Sequence, residues 1–120
     1  LRENIEYFER ILGREIKEIT AIGGATRNRY WMDAKAAVTG RPVEVPALQE
    51  ATPLGAALLA GIATGCYGSE EEAVKRVYRA ERRVEPEPRR AVRYTALYET
   101  VYRSLYDSLR DVHEAIDASL

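Results

Sequence analysis

The stretch Glu18-Ile19-Thr20-Ala21-Ile22-Gly23-Gly24-Ala25-Thr26-Arg27-Asn28 constrains this chain more than any other. An Ile-x-Ala-Ile run has the β-branched content of a buried strand, and two glycines at its end strip side chains from the point where the backbone turns. A helix that starts just beyond them, with Thr26 or Asn28 as its cap, turns its free N–H groups and positive dipole end toward whatever approaches the glycines. A nucleotide suits such a corner. A plain structural turn suits it equally, because Gly-Gly after a strand is a short signal.

The flanking segments place that turn in a βαβ unit. Apolar residues Ile5, Phe8, Ile11 and Leu12 recur at helical spacing over residues 2–12, and Gly13 stands where a left-handed C-cap is favoured. Lys17–Ile22 reads as the first strand. Asn28–Thr39 returns to helical spacing with Trp31, Ala34 and Val38 on the inner side, and Gly40 closes it before Pro42. Val43-Glu44-Val45, between two prolines, reads as a second short strand whose ends lie at the sheet margin. The crossover should be right-handed, and ligands of such sheets sit beyond the carboxyl ends of the strands, where Gly23 and Gly24 lie.

The second half reads as helical. Thr52-Pro53 has the form of a helix start, with the helix running from Leu54 to about Gly65; it is apolar nearly all round and rich in small residues, so it reads as a buried core helix. Its interior glycines each cost about 1 kcal/mol relative to alanine, and close packing is the compensating gain to look for. Ser69 and Glu72 form a capping box for the next helix, which carries Ala73, Val74, Val77 and Tyr78 inward. Glu85-Pro86-Glu87-Pro88 is an extended link. One long helix from Arg90 to Ala118 then carries Tyr94, Leu97, Tyr98, Val101, Leu105, Leu109, Val112 and Ile116 in a continuous stripe. Tyr94, Tyr98, Tyr102 and Tyr106 form an aromatic row on it, suited to packing.

Composition narrows the function. The 120 residues carry 18 basic and 19 acidic side chains, a net charge of -1, and Arg82-Arg83 and Arg89-Arg90 are interleaved with glutamates, so nucleic acid is not an expected partner. Cys66 is alone, which excludes an internal disulfide and a thiolate zinc cluster. No segment approaches the roughly 20 apolar residues of a membrane span, and a cytoplasmic protein is expected. His113 is equally alone. No phosphate loop, nucleophilic triad or acid/base pair of carboxylates is visible, so no catalytic residue and no metal ligand is assigned.

Three ordered motifs carry a more specific resemblance. Gly23-Gly24-Ala25-Thr26-Arg27-Asn28-Arg29-Tyr30-Trp31, Val38-Thr39-Gly40-Arg41-Pro42-Val43-Glu44-Val45-Pro46 and Glu50-Ala51-Thr52-Pro53-Leu54-Gly55-Ala56-Ala57-Leu58-Leu59-Ala60-Gly61 resemble the C-terminal domain of the FGGY carbohydrate kinases. Glu85-Pro86 followed by Tyr94 and Tyr98 is similar to that family's closing segment. The helix after the glycines departs from the family, with Asp33-Ala34 and Ala36-Ala37 in place of its usual Gln-Ile and Ala-Asp.

The resemblance implies an α/β chain that is the C-terminal part of an actin-like ATPase (ribonuclease H-like) domain, helix-rich, with a short parallel βαβ unit and a long C-terminal helix. Residues 1–120 would be the last portion of the ATP-side domain, with the sugar-binding N-terminal domain absent. It implies a cleft in which ATP with Mg2+ lies against this part and a sugar or polyol against the other. Gly23, Gly24, Ala25 and Asn28 would touch the adenosine end, with Gly23 as the turn residue, while Glu50 and Gly55 support the pocket. The family's base, an aspartate of the N-terminal domain, and its phosphate loops have no counterpart here. Phosphoryl transfer depends on positioning and charge neutralisation, so the chain alone should at most bind nucleotide weakly. The other reading is a stand-alone, non-catalytic nucleotide-binding or interaction module of the same fold. Its exposed face would then be covered by a partner or by association into a homo-oligomer.

Overall fold

The computed structural model describes residues 1–48 and 50–119. Helix α1 spans Arg2–Leu12 and ends on Gly13 in the left-handed conformation (φ 64°), as its position predicts. Strand β1 is Ile19–Thr20, shorter than the expected Lys17–Ile22, and a single 3₁₀ turn, Gly24–Arg27, separates it from helix α2, Arg29–Thr39. Gly40 (φ 65°) closes α2, and strand β2, Val43–Pro46, follows.

β1 and β2 pair in parallel, Ile19 opposite Val43 and Thr20 opposite Glu44, so the βαβ unit forms as expected. β2 is the central strand, because a third strand, β3 (Ala80–Val84), pairs antiparallel along its other edge with Val43 opposite Val84 and Val45 opposite Arg82. The proline-flanked ends of β2 do not prevent this, since Pro42 serves through its carbonyl, which accepts the Ile19 N–H at 3.0 Å.

The core is small: Ala21, Met32, Ala36, Val43 and Val45, flanked by Ile19 and Val84. α2 therefore faces the sheet through Met32 and Ala36, with Ala37 and Thr39 also buried, and Trp31, expected inward, is 50% exposed. Two stripes of helical spacing compete on this helix. The one that fits flat against a three-stranded sheet is built of methionine and alanines, which permit close approach, and the bulky indole is turned outward.

Helix α3 (Ala51–Ala63) starts one residue before Thr52, so Thr52 does not cap it and Pro53 falls in the first turn, where a missing N–H costs nothing. No described residue of α3 is buried, which corrects the reading of a core helix. The Tyr67 ring lies against Gly61, where an added Cβ would meet it at 2.7 Å; Gly55 has no such neighbour. Helix α4 (Glu70–Val77) is capped by Ser69, whose hydroxyl accepts the Glu72 N–H at 3.1 Å, while the Glu72 carboxylate accepts the Gly68 N–H.

The C-terminal helix is not continuous. It runs as α5 (Pro88–Leu97), a wide turn at Tyr98–Tyr102 in which the Arg103 N–H reaches back five residues to Tyr98, then α6 (Arg103–Ser108) and α7 (Arg110–Asp117) with a break at Leu109. Of its expected inner stripe only Tyr98 is buried. Tyr98 and Tyr102 stack at 5.5 Å, so this part of the aromatic row packs within the helix. α1 grips the helix by polar contacts: Arg2 lies 4.3 Å over the Tyr98 ring, and Glu6 accepts from the Tyr98 hydroxyl and from Arg103, each at 2.9 Å. The radius of gyration, 19.0 Å, exceeds the roughly 14 Å of a compact chain of this length, and the excess lies in helices whose apolar faces are uncovered.

Candidate functional site

The glycine turn sits at the carboxyl end of β1, and its two glycines serve different ends. Gly23 has φ 89° and ψ 175°, a region essentially closed to residues with a Cβ, so the backbone itself requires glycine there. Gly24 has no such backbone, and a Cβ built on it meets no atom within 4 Å. Among the described residues, none occupies the space a side chain would take there. The bare position leaves exposed main chain open to close approach from outside.

The turn is held from below. Thr26, one of the two buried polar residues described, donates its hydroxyl to the Gly23 carbonyl at 2.7 Å, and its N–H reaches the same oxygen at 3.0 Å. Asn28 ends the turn in an extended conformation and caps α2, its Oδ1 accepting the Trp31 N–H at 3.1 Å. That bond orients the amide and leaves its NH2 group as a donor on an exposed residue at the positive end of α2. Ala25 is exposed between them. The structure thus brings Gly23, Gly24, Ala25 and Asn28 together on one open corner.

Sequence reading missed one contributor. Arg82 of β3 donates from Nη2 to the Thr26 carbonyl at 2.7 Å, and a cavity of about 280 Å³ beside the turn is lined by Thr26, Arg27, Arg29, Val45, Glu81 and Arg82. The signal was hidden because β3 holds three charged residues out of five, the composition of a solvated face. Glu50 and Gly55, expected to support the pocket, belong to the start of α3, where Glu50 makes no side-chain cap.

A cleft of about 600 Å³ between α1 and the C-terminal helix is larger, lined by Glu3, Glu6, Glu9, Arg10, Tyr98 and Arg103. Two of its acidic groups, Glu6 and Glu9, are already engaged. Burial works to raise the Glu6 pKa, but Arg2, the Tyr98 hydroxyl and Arg103 together hold it below the usual carboxylate range. Burial and then Glu6 push the Tyr98 phenol up in turn. On the opposite face of the sheet the Tyr78 hydroxyl donates to Glu44, which raises its pKa, and Arg83 pairs with Glu18 at 2.8 Å and Glu85 at 2.7 Å. The Tyr78–Glu44 and Arg83–Glu18 contacts brace neighbouring segments of the sheet, and Arg83–Glu85 is local to β3 and its end. Among the described residues, no three His, Cys, Asp or Glu side chains stand together as a metal site, and no helix is long and apolar enough to cross a membrane.

Comparison with known proteins bears on this corner. The C-terminal domain model of the FGGY family of carbohydrate kinases matches residues 1–64, which include the whole turn and α2. The glycerol kinase of Nitratidesulfovibrio vulgaris (strain Miyazaki F) is 42% identical over 87 residues, 72% of this chain and 17% of that protein. The glycerol kinase of Aquifex aeolicus is 39% identical over 92 residues, 77% of this chain and 19% of its own length. Among solved structures, a xyloylose kinase from Brucella ovis superposes with a TM-score of 0.76 at 29% identity, covering 92% of this chain and 22% of that one. The chain therefore spans about a fifth of the length of these relatives.

Proposed function

The chain belongs to the FGGY family of carbohydrate kinases, and on that premise we propose that it is the C-terminal portion of the ATP-side domain of such a kinase, working in the cytoplasm. The reaction moves the γ-phosphoryl group of ATP to a hydroxyl of a sugar or polyol, releasing ADP and the hydroxyl proton. This chain's part in it is to seat the nucleotide. Gly24 and Ala25 present main chain to the adenosine, Gly23 sets the turn, and the Asn28 amide donates toward the same ligand. Mg2+ and the triphosphate are held mainly by parts of the kinase outside this chain, as are the sugar or polyol and the base that takes its proton.

The single observation that carries the reading is the open Gly24: a bare position with ordinary backbone and no neighbour within 4 Å, beside an exposed capping amide. A group with a flat face and hydrogen-bonding edges, as adenosine has, can come within van der Waals distance of such main chain. With positioning confined to the nucleotide's end, the isolated chain binds ATP weakly and transfers no phosphoryl group.

Melting curves with and without millimolar ATP test this. ATP should raise the melting temperature, and Asn28→Ala should remove the increase. A coupled assay with ATP and either glycerol or xylulose should give no ADP above background. A melting temperature indifferent to ATP would leave the alternative, an interaction module that keeps the fold without the nucleotide site.

A further inference from the structure

We propose that Arg82 is a positioning residue of the nucleotide site, holding the glycine turn in its open shape from the neighbouring strand. This rests on the reading of Gly23–Asn28 as the seat of ATP.

Arg82 lies directly opposite Val45 across the β2–β3 ladder, so the two side chains share a face of the sheet. Val45 is fully buried in the core and Arg82 is half-buried, its stem covering the end of that core. From there the guanidinium crosses to the turn and donates to the Thr26 carbonyl at 2.7 Å. Thr26 in turn fixes the Gly23 carbonyl twice, through its hydroxyl and its N–H. Gly23 is the residue whose φ of 89° decides the direction in which Gly24 presents its main chain.

A relay thus runs from Arg82 through Thr26 to Gly23. It joins the third strand to a turn 56 residues earlier in the chain.

The next residue shows what an arginine on this strand otherwise does. Arg83 points to the opposite face and is consumed by ion pairs with Glu18 and Glu85. Arg82, with Glu81 lining the same cavity, spends its charge on a main-chain carbonyl of the turn. A charged donor strengthens that bond relative to a neutral one, and its planar fork restricts the geometry in which it forms. Without it, the 3₁₀ turn loses its hydrogen bond to β3, and the seat loses definition before ATP arrives.

Isothermal titration of ATP into the wild-type chain, Arg82→Ala and Arg82→Lys, with amide hydrogen exchange on each, tests the proposal. Arg82→Ala should weaken ATP binding about tenfold, the scale of one lost hydrogen bond from a charged donor. Exchange should speed up at Gly24 to Arg27 and stay unchanged on β2. Arg82→Lys, which keeps the charge and one donor, should fall between the two. If Arg82→Ala loses protection on β2 as well, Arg82→Lys carries the comparison, and affinity equal to wild type overturns the proposal. Wild-type affinity in a folded Arg82→Ala overturns it outright and leaves the seat itself standing. A wild-type chain that takes up no ATP overturns both.

Discussion

Glu9 Oε1 lies 2.6 Å from Arg41 Nη2, and the same oxygen accepts the Ile16 N–H at 2.8 Å. Arg41 also donates to the carbonyls of Ile16 and Thr39, at 2.6 and 2.9 Å. One carboxylate and one guanidinium thereby tie α1, the connection to β1 and the end of α2 into a single knot, on chain with little apolar burial to do so.

The knot makes stability depend on pH. The Ile16 N–H first, and Arg41 with it, hold the Glu9 pKa below the usual carboxylate range against the effect of burial. A carboxylate depressed in the folded state stabilises above its unfolded pKa, about 4.3, and that stabilisation is lost as pH falls through the folded value. Glu9→Gln should therefore melt below wild type at pH 7 and converge on it in acid. A constant offset between the two melting curves across that range would show that the charge of Glu9 is not what holds the knot.

Met32 and Trp31 invert what bulk alone suggests. Met32 is fully buried against Val43 and Val45, so Met32→Ala should cost about 2–5 kcal/mol in urea unfolding. Trp31, half exposed, should cost less than about 1 kcal/mol when replaced by alanine. The reverse order would mean that α2 is rotated on the sheet.

The glycines of α3 separate in the same way. Gly55 has open space where a Cβ would stand, so Gly55→Ala should stabilise the chain by up to about 1 kcal/mol through helix propensity. At Gly61 the new methyl would collide with the Tyr67 ring, and the propensity gain should vanish or change sign. Equal gains at both sites, measured by thermal melting, would remove the close contact at Gly61 as its explanation.

Local chemistry was legible where one residue decides the outcome. Gly13 and Gly40 end helices in the left-handed conformation, Asn28 and Ser69 accept the N–H groups their positions predict, and the parallel pairing of Ile19 with Val43 follows from two short apolar runs joined by one helix. The open turn was legible for the same reason, since two glycines in a row after a strand admit backbone that residues with a Cβ cannot adopt and leave the main chain bare. What stayed hidden depends on partners distant in sequence. β3 is charged because it is an edge strand, and only its register against Val43 and Val45 shows that Val84 and the stem of Arg82 face the core. An all-round apolar helix such as α3 names no face, so its exposure was not readable. The breaks at Tyr98–Tyr102 and Leu109 carry no glycine or proline to announce them.

The central claim is that ATP lies on bare main chain at Gly24, and backbone amide NMR during an ATP titration of wild type, Gly23→Ala and Gly24→Val tests it most directly. Gly23→Ala should lose about 1–3 kcal/mol of stability with or without nucleotide, because its backbone excludes a Cβ. In wild type, ATP should shift the amide signals of Gly23 to Asn28. Gly24→Val should melt as wild type does and show no such shifts, since its side chain fills the space the adenosine needs. Shifts that survive Gly24→Val, or that fall in the cleft between Glu6 and Tyr98 instead, would contradict the account.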